Sequence, residues 1–155
     1  MRSIHQWLDE YGESHQDPVN KRIHWICVPA IVLSVIGLLW SIPVPAAFAA
    51  ISPALNWAVL LAMAAVVYYF ILSVPLALGA AAVLLLLLLA AAGLDRLAVP
   101  LWLTSIVIFV VAWIGQFIGH QIEGRKPSFF KDLQFLMIGP LWLLAAAYRA
   151  AGLRY

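Results

Sequence analysis

Two long stretches of this chain contain no charged side chain, and they determine what it can fold into. No Asp, Glu, Lys or Arg occurs in residues 23–94, and none occurs again in residues 97–122. Apolar residues make up 65% of the chain, against roughly 45–50% in soluble globular domains. The pattern indicates an integral membrane protein. We expect an all-α fold in which residues 1–155 form one membrane domain.

The uncharged stretches are long enough for four membrane crossings. A helix needs about 20 apolar residues to cross the hydrocarbon layer, because each residue advances it by only ~1.5 Å. Proline-containing segments at residues 41–45 and 73–75, together with Asp95 and Arg96, divide the stretches. We predict spans near residues 25–41, 56–73, 76–94 and 98–118. The hydrophobic segment 133–148 is short and contains Gly139 and Pro140, so we expect a re-entrant segment or a fifth helix.

Basic residues predict the orientation of the bundle, because Lys and Arg concentrate on cytoplasmic loops. The opposite side would carry only Arg96, which is beside Asp95. We therefore expect residues 1–22 on the cytoplasmic side, of the inner membrane if the cell is bacterial. The net charge of +2 is too small to suggest a nucleic-acid partner. The residues that decide the orientation are Arg2, Lys21 and Arg22 before the first span, and Arg125, Lys126 and Lys131 after the fourth.

Three of the four histidines lie where the predicted spans meet water. His24 begins the first span and His120 ends the fourth, whereas His15 precedes the first helix. That helix should begin after Asp17, a good N-cap, with Pro18 at its first position. An even number of crossings brings His120 to the membrane face that holds the other two. Because neutral imidazole is a good ligand for iron, zinc, copper or nickel, we predict a metal site at this face.

Six further residues are candidates for this site, since polar groups close to a membrane are costly and suggest function. Simpler explanations exist for each: an interfacial histidine often only finishes a helix end, and basic residues often only set orientation. His5 lies a short helix away, and we expect it at the surface. The candidates are Asp17 as a further metal ligand, Tyr11, Asn20 and Glu123 as catalytic or orienting residues, and Arg125 and Lys126 as binders of a substrate carboxylate.

Two sequence motifs contain these residues: YGESHQDPVNKRIHWICVP at residues 11–29 and WIGQFIGHQIEGRKP at residues 113–127. They resemble the signature of the 2-hydroxy fatty acid dioxygenase family. That signature reads approximately Tyr-x3-His-x-Asn-Pro-x-Asn-x3-His-x3-Val-Pro and Trp-Ile-x-Gln-Phe-x-Gly-His followed by Glu and Pro. Two departures stand out: Asp17 replaces the first Asn, and Glu123 follows His120 by three residues instead of four.

The resemblance implies a non-haem iron dioxygenase that uses Fe(II) and O2 to shorten a long-chain 2-hydroxy fatty acid by one carbon. It implies His15, His24 and His120 as iron ligands. Conversion of RCH(OH)COOH and O2 into RCOOH, CO2 and water balances without an external reductant. In agreement, the sequence has no Gly-rich dinucleotide fingerprint. The expected partners are the fatty acid, O2 and membrane lipid.

Two other functions are compatible with the same residues. Zinc held by three imidazoles could activate water for lipid hydrolysis, with Glu123 as general base. Alternatively, the protein could be a non-catalytic scaffold or a small transporter, although a transporter would be expected to show inverted repeats. Gly115 and Gly119 form a Gly-x3-Gly pattern that fits internal packing as well as dimerisation, so the oligomeric state stays open.

Overall fold

The computed structural model describes residues 2–124 and 134–155, except for the side chain of Gln134. All secondary structure in this part of the chain is helical, which confirms the predicted all-α fold. In chain order, the helices are α1 (Ile4–Gly12), α2 (Pro18–Trp40), α3 (Ala46–Ile51), α4 (Trp57–Leu72), α5 (Val74–Leu94), α6 (Leu101–Glu123) and α7 (Gln134–Ala150).

Three of these helices, α2, α5 and α6, are long and apolar enough to cross a membrane. The other predicted span corresponds to α4, whose 16 residues extend about 24 Å, somewhat less than the ~30 Å hydrocarbon layer. The helices differ most from the predicted spans at their polar ends. Helix α2 begins at Pro18 because the Asp17 side chain caps it, and α6 continues to Glu123, where Gly124 ends it in a left-handed conformation.

Helices α2 and α6 are antiparallel and pack closely through small residues. A Cβ atom added at Gly119 would meet the Asn20 Oδ1 at 2.5 Å, and one at Gly37 would meet the Ser105 Oγ. Small residues let two helix backbones approach closely in this way. Gly115 faces Cys27 on the same interface. The Gly-x3-Gly pattern is therefore used inside the molecule.

Helices α4 and α5 form a tight hairpin around Ser73, which is both the C-cap of α4 and the N-cap of α5. Helix α2 leads away from the end where it begins, α4 leads back, α5 leads away again and α6 leads back. The start of α2 and the end of α6 therefore lie at the same end of the bundle. We call this end the histidine end. The residue numbers in the α2–α6 contacts confirm it, since residue 20 faces residue 119 and residue 37 faces residue 105.

Helices α1 and α7 pack together at the histidine end. Helix α1 begins with a capping box between Ser3 and Gln6, and its buried residues recur at the spacing of one helix face. Two tyrosines join α7 to the α4–α5 hairpin: the Tyr69 hydroxyl donates to the Met137 carbonyl, and the Tyr148 hydroxyl donates to the Pro75 carbonyl, each at 2.9 Å. The core of this packing includes Ile4, Trp7, Leu8 and Tyr11 from α1 and Phe135, Ile138, Leu141 and Trp142 from α7.

Candidate metal centre

The imidazole ring of His24 is oriented by its own helix. Its Nδ1 lies 2.9 Å from the backbone oxygen of Asn20, one turn earlier. A carbonyl oxygen can only accept a hydrogen bond, so Nδ1 carries the proton of the neutral ring. The Nε2 atom of His24 therefore presents a lone pair.

The ring of His15 is oriented in the same way, although it lies on non-helical chain. Its Nδ1 lies 2.7 Å from the backbone oxygen of Tyr11, and the Tyr11 ring stacks on it with centroids 4.2 Å apart. Burial lowers the pKa of His15 to about 3. At neutral pH the His15 imidazole is thus uncharged, and its Nε2 also presents a lone pair.

These two lone pairs face each other, because the Nε2 atoms of His15 and His24 are 3.0 Å apart. A hydrogen bond between them would require a second proton on one ring, which burial opposes. A metal ion between them removes the conflict. Two imidazole nitrogens at this separation could both be ligands of one metal ion with metal–nitrogen bonds of ~2.1 Å.

His120 supplies the third imidazole, as the parity of the crossings predicted. Its ring centroid lies 5.0 Å from that of His15 and 5.0 Å from that of His24. One candidate ligand atom from each ring lies within 4.8 Å of the other two. All three side chains are at most 5% exposed. The Nδ1 atom of His120 is buried and has no hydrogen-bond partner within the described residues, as expected of a nitrogen reserved for an ion.

Glu123 ties the chain before α2 to the end of α6. Its Oε1 accepts the backbone N–H of Gln16 at 2.7 Å. Its Oε2 accepts the backbone N–H of Asp17 at 2.8 Å and the Nδ2–H of Asn20 at 3.0 Å. Both carboxylate oxygens are therefore occupied in holding the segment that carries His15 against α6.

The structure gives Asp17 a different task from the metal ligation we considered. Its Oδ1 accepts the backbone N–H groups of Val19 and Asn20, which is the N-cap arrangement also predicted from the sequence. The side chains that converge on the candidate centre are the three histidines, without Asp17. A carboxylate engaged with the first turn of α2 is directed towards that turn's N–H groups, which explains the difference.

The remaining predicted residues fall into three groups. Tyr11 is buried against His15. The Asn20 side chain donates to Glu123, and the Asn20 backbone oxygen accepts a hydrogen bond from the Nδ1 of His24. His5 is exposed and lies beside Tyr155, not beside the other histidines. Arg125 and Lys126 lie outside the described residues.

Two neighbours of the centre had no predicted role in it, although Gln116 belongs to the second sequence motif. The Trp142 ring lies 5.3 Å from the His15 ring and 5.7 Å from the Tyr11 ring, a contact brought about by tertiary packing of α7. Gln116 is buried one turn before His120 on α6. Its spacing of four residues from a predicted ligand was the available signal.

A cavity of about 60 Å³ adjoins the centre between α2, α6 and α7. Tyr11 and Gln116 lie among its lining residues, and most of the others are apolar. The apolar side chains include Val28, Ile31 and Val32 of α2, Trp113 of α6, and Phe135 and Leu136 of α7.

The fold and the site together define a helical protein with membrane-length apolar helices and a buried three-histidine group able to hold a metal ion. Residues 1–151 match the family described as Mpo1-like, 2-hydroxy-palmitic acid dioxygenase Mpo1-like, and the chain belongs to this family. No curated protein and no solved structure matches the chain.

Proposed function

We propose that this protein is an Fe(II)-dependent membrane dioxygenase that converts a long-chain 2-hydroxy fatty acid and O2 into the fatty acid one carbon shorter, CO2 and water. The observation that carries the proposal is the pair of Nε2 lone pairs on His15 and His24, 3.0 Å apart, with His120 beside them. The description of the family supports the reaction and the substrate class.

The family favours iron over zinc. Imidazole ligands suit iron, zinc, copper and nickel alike, and the family description as a dioxygenase is what supports iron. His15, His24 and His120 would hold the ion and leave coordination positions open for substrate and O2. When bound, Fe(II) would supply the redox chemistry that O2 needs to react with an organic acid.

Aromatic side chains pack around the histidines and shield them from water. The ring of Tyr11 covers one face of His15, and Trp142 lies against both rings. Burial raises the pKa of the Tyr11 phenol, so this side chain keeps its proton and can donate a hydrogen bond to substrate. Exclusion of water strengthens the electrostatic interactions in such a site and limits side reactions.

The hydrolase alternative is less well supported, because it needs a free general base. Glu123, the candidate base, accepts three hydrogen bonds from N–H donors through its two oxygens. Each of these bonds favours the carboxylate but engages the lone pairs that would otherwise take a proton from water. We therefore assign Glu123 and Asn20 to positioning His15 and α2.

We further propose that the hydrocarbon tail of the substrate lies among the helices while its polar head meets the centre at the cytoplasmic face. Arg125 and Lys126 follow α6 directly in the chain. We assign them the attraction of the anionic substrate, since basic residues that follow the end of α6 in sequence would draw an anionic lipid acid towards the protein.

Metal analysis of protein purified without oxygen tests the ligand set. Wild-type protein should hold about one iron per chain, and His15→Ala, His24→Ala and His120→Ala should each lose it, because three neutral imidazoles supply the binding. His5→Ala is the matched control and should keep the iron, since His5 is exposed and remote from the group. Retention of the metal in all three site variants would exclude this ligand set.

Activity is tested by incubating the iron-loaded protein with 2-hydroxyhexadecanoic acid in air. The expected products are pentadecanoic acid and CO2, with one O2 consumed per acid. Cleavage of ester or amide lipids in the absence of oxygen would instead support a hydrolase.

A further inference from the structure

The cavity between α2, α6 and α7 is placed where a lipid chain attached to a head group at the histidines would run. On α2, Val28 follows His24 by one turn, and on α6, Gln116 precedes His120 by one turn. Trp113, which also lines the cavity, lies about one turn further from the histidines. Along both helices, the cavity therefore begins about one turn from the histidines and extends away from the histidine end.

A buried amide nitrogen at the part of this cavity nearest to the histidines lacks a hydrogen-bond partner. Gln116 is 5% exposed, and its Nε2 has no hydrogen bond within the described part of the chain. The Gln116 side chain also makes a hydrogen-bond contact with His24, so the unpartnered atom of the amide is its Nε2. A buried amide donor without a partner is costly, and buried polar groups in native proteins are almost always satisfied. A donor in this state, in a mostly apolar cavity, indicates an acceptor atom on a ligand.

We propose that this cavity binds the part of a fatty acid nearest to its carboxyl group, and that the Nε2–H of Gln116 donates a hydrogen bond to a carboxylate oxygen. This inference rests on the proposed function, because it takes the substrate to be a lipid acid whose head lies at the histidines. It makes Gln116 a substrate-binding residue in addition to the residues named above.

The size of the cavity limits which part of the chain it holds. A cavity of about 150 Å³ accommodates benzene, so the 60 Å³ here has room for about two or three carbons. The rest of a long tail would leave the cavity towards the surrounding lipid. Binding should consequently depend on the carboxyl end of the acid and only weakly on tail length.

The test measures equilibrium binding of 2-hydroxyhexadecanoic acid to the iron-loaded full chain under anaerobic conditions, in which the acid cannot be consumed. Gln116→Leu removes the donor at similar volume and should raise the Kd about tenfold or more, since a hydrogen bond to a charged acceptor is among the stronger ones. Gln116→Glu places a second negative charge beside the carboxylate and should raise the Kd further. Iron content should stay at about one per chain in both variants.

A matched pair of isoleucines tests the cavity itself. Ile31→Trp fills the cavity and should weaken binding about tenfold or more, whereas Ile114→Trp on the exposed surface of α6 should leave the Kd unchanged. Binding of 2-hydroxydodecanoic acid should change with the same variants and to a similar extent.

The outcomes separate this inference from the proposed function. If Gln116→Leu and Ile31→Trp, each with normal iron content, bind the acid as wild-type protein does, the cavity is not the lipid site, whatever the activity. If instead wild-type protein binds the acid through Gln116 and yet consumes no O2 in air, the cavity inference stands and the dioxygenase proposal fails.

Discussion

His15 and His24 are each oriented by a backbone carbonyl four residues earlier in the chain. One carbonyl belongs to the same helix as its histidine, and the other belongs to the helix before its histidine. The Asn20 carbonyl bonds His24 within α2. The Tyr11 carbonyl bonds His15 from the last turn of α1, where carbonyl groups have no partner inside the helix. The end of α1 thus supplies the acceptor that holds His15, and this helix acquires a role in the site although none of its side chains is a proposed ligand.

Glu123→Gln tests how much the position of His15 depends on the link to α6. A carboxamide offers one acceptor oxygen instead of two and turns an N–H2 group towards N–H donors, so the segment before α2 should loosen. Loss of groups that orient metal ligands typically costs about 10- to 100-fold in metal affinity. We expect iron binding to weaken within this range, as measured by competition with a chelator.

Glu10→Gln is the control for this prediction. Glu10 lies on the surface of α1, where its carboxylate contacts Arg2, so its replacement should leave iron affinity unchanged. An unaltered affinity in Glu123→Gln would show that His15 is held without the carboxylate.

At the scale of elements, the α2–α6 pair determines how near His24 and His120 can come. Glycine at position 119 leaves room for the Asn20 side chain, which is itself tied to Glu123. Because Asn20 is held at both its side chain and its backbone oxygen, it has little freedom to move away from a larger neighbour.

Gly119→Ala should therefore lower the stability of the protein and its metal affinity together. The added methyl group would lie 2.5 Å from the Asn20 Oδ1, and overpacking of this kind costs about 1–3 kcal/mol, more than alanine gains over glycine in a helix. Thermal unfolding in detergent and chelator competition measure the two effects. Gly93→Ala is the control, since nothing lies near that position in α5, and it should be neutral or slightly stabilising. Equal behaviour of the two variants would contradict the close packing.

At the scale of the whole molecule, the meeting of the histidines depends on topology. The chain leaves the histidine end along α2, returns along α4, leaves along α5 and returns along α6, and α1 and α7 pack beside the site at that end. The two ends of the chain should consequently lie on one side of the membrane, and the α2–α3 and α5–α6 connections on the other.

Cysteine labelling in vesicles of known orientation tests this arrangement. In a Cys27→Ala parent, Ser3→Cys and Leu153→Cys should react with an impermeant maleimide from the cytoplasmic side, and Ile42→Cys and Leu97→Cys from the opposite side. The chosen positions are exposed, and the parent without cysteine is the control for background labelling. Reaction of positions 3 and 153 from opposite sides would mean that α7 crosses the membrane and that the topology is wrong.

The helical class and the return of His120 to the end that holds His15 and His24 were predictable from the sequence. These follow from hydropathy, helix rise and the parity of crossings, which are properties of the chain's pattern. The N-cap at Asp17 was also predictable, since capping is a local interaction.

How the histidines meet depends on tertiary packing. Contacts between residues more than a hundred positions apart, such as those of Glu123 with Gln16 and Asp17, leave no periodic signal in the sequence. The same holds for the packing of Trp142 on His15 and for the unpartnered amide of Gln116 beside a cavity. Pattern predicts which end of the bundle a side chain occupies, but the direction in which it points depends on the neighbours that packing brings to it.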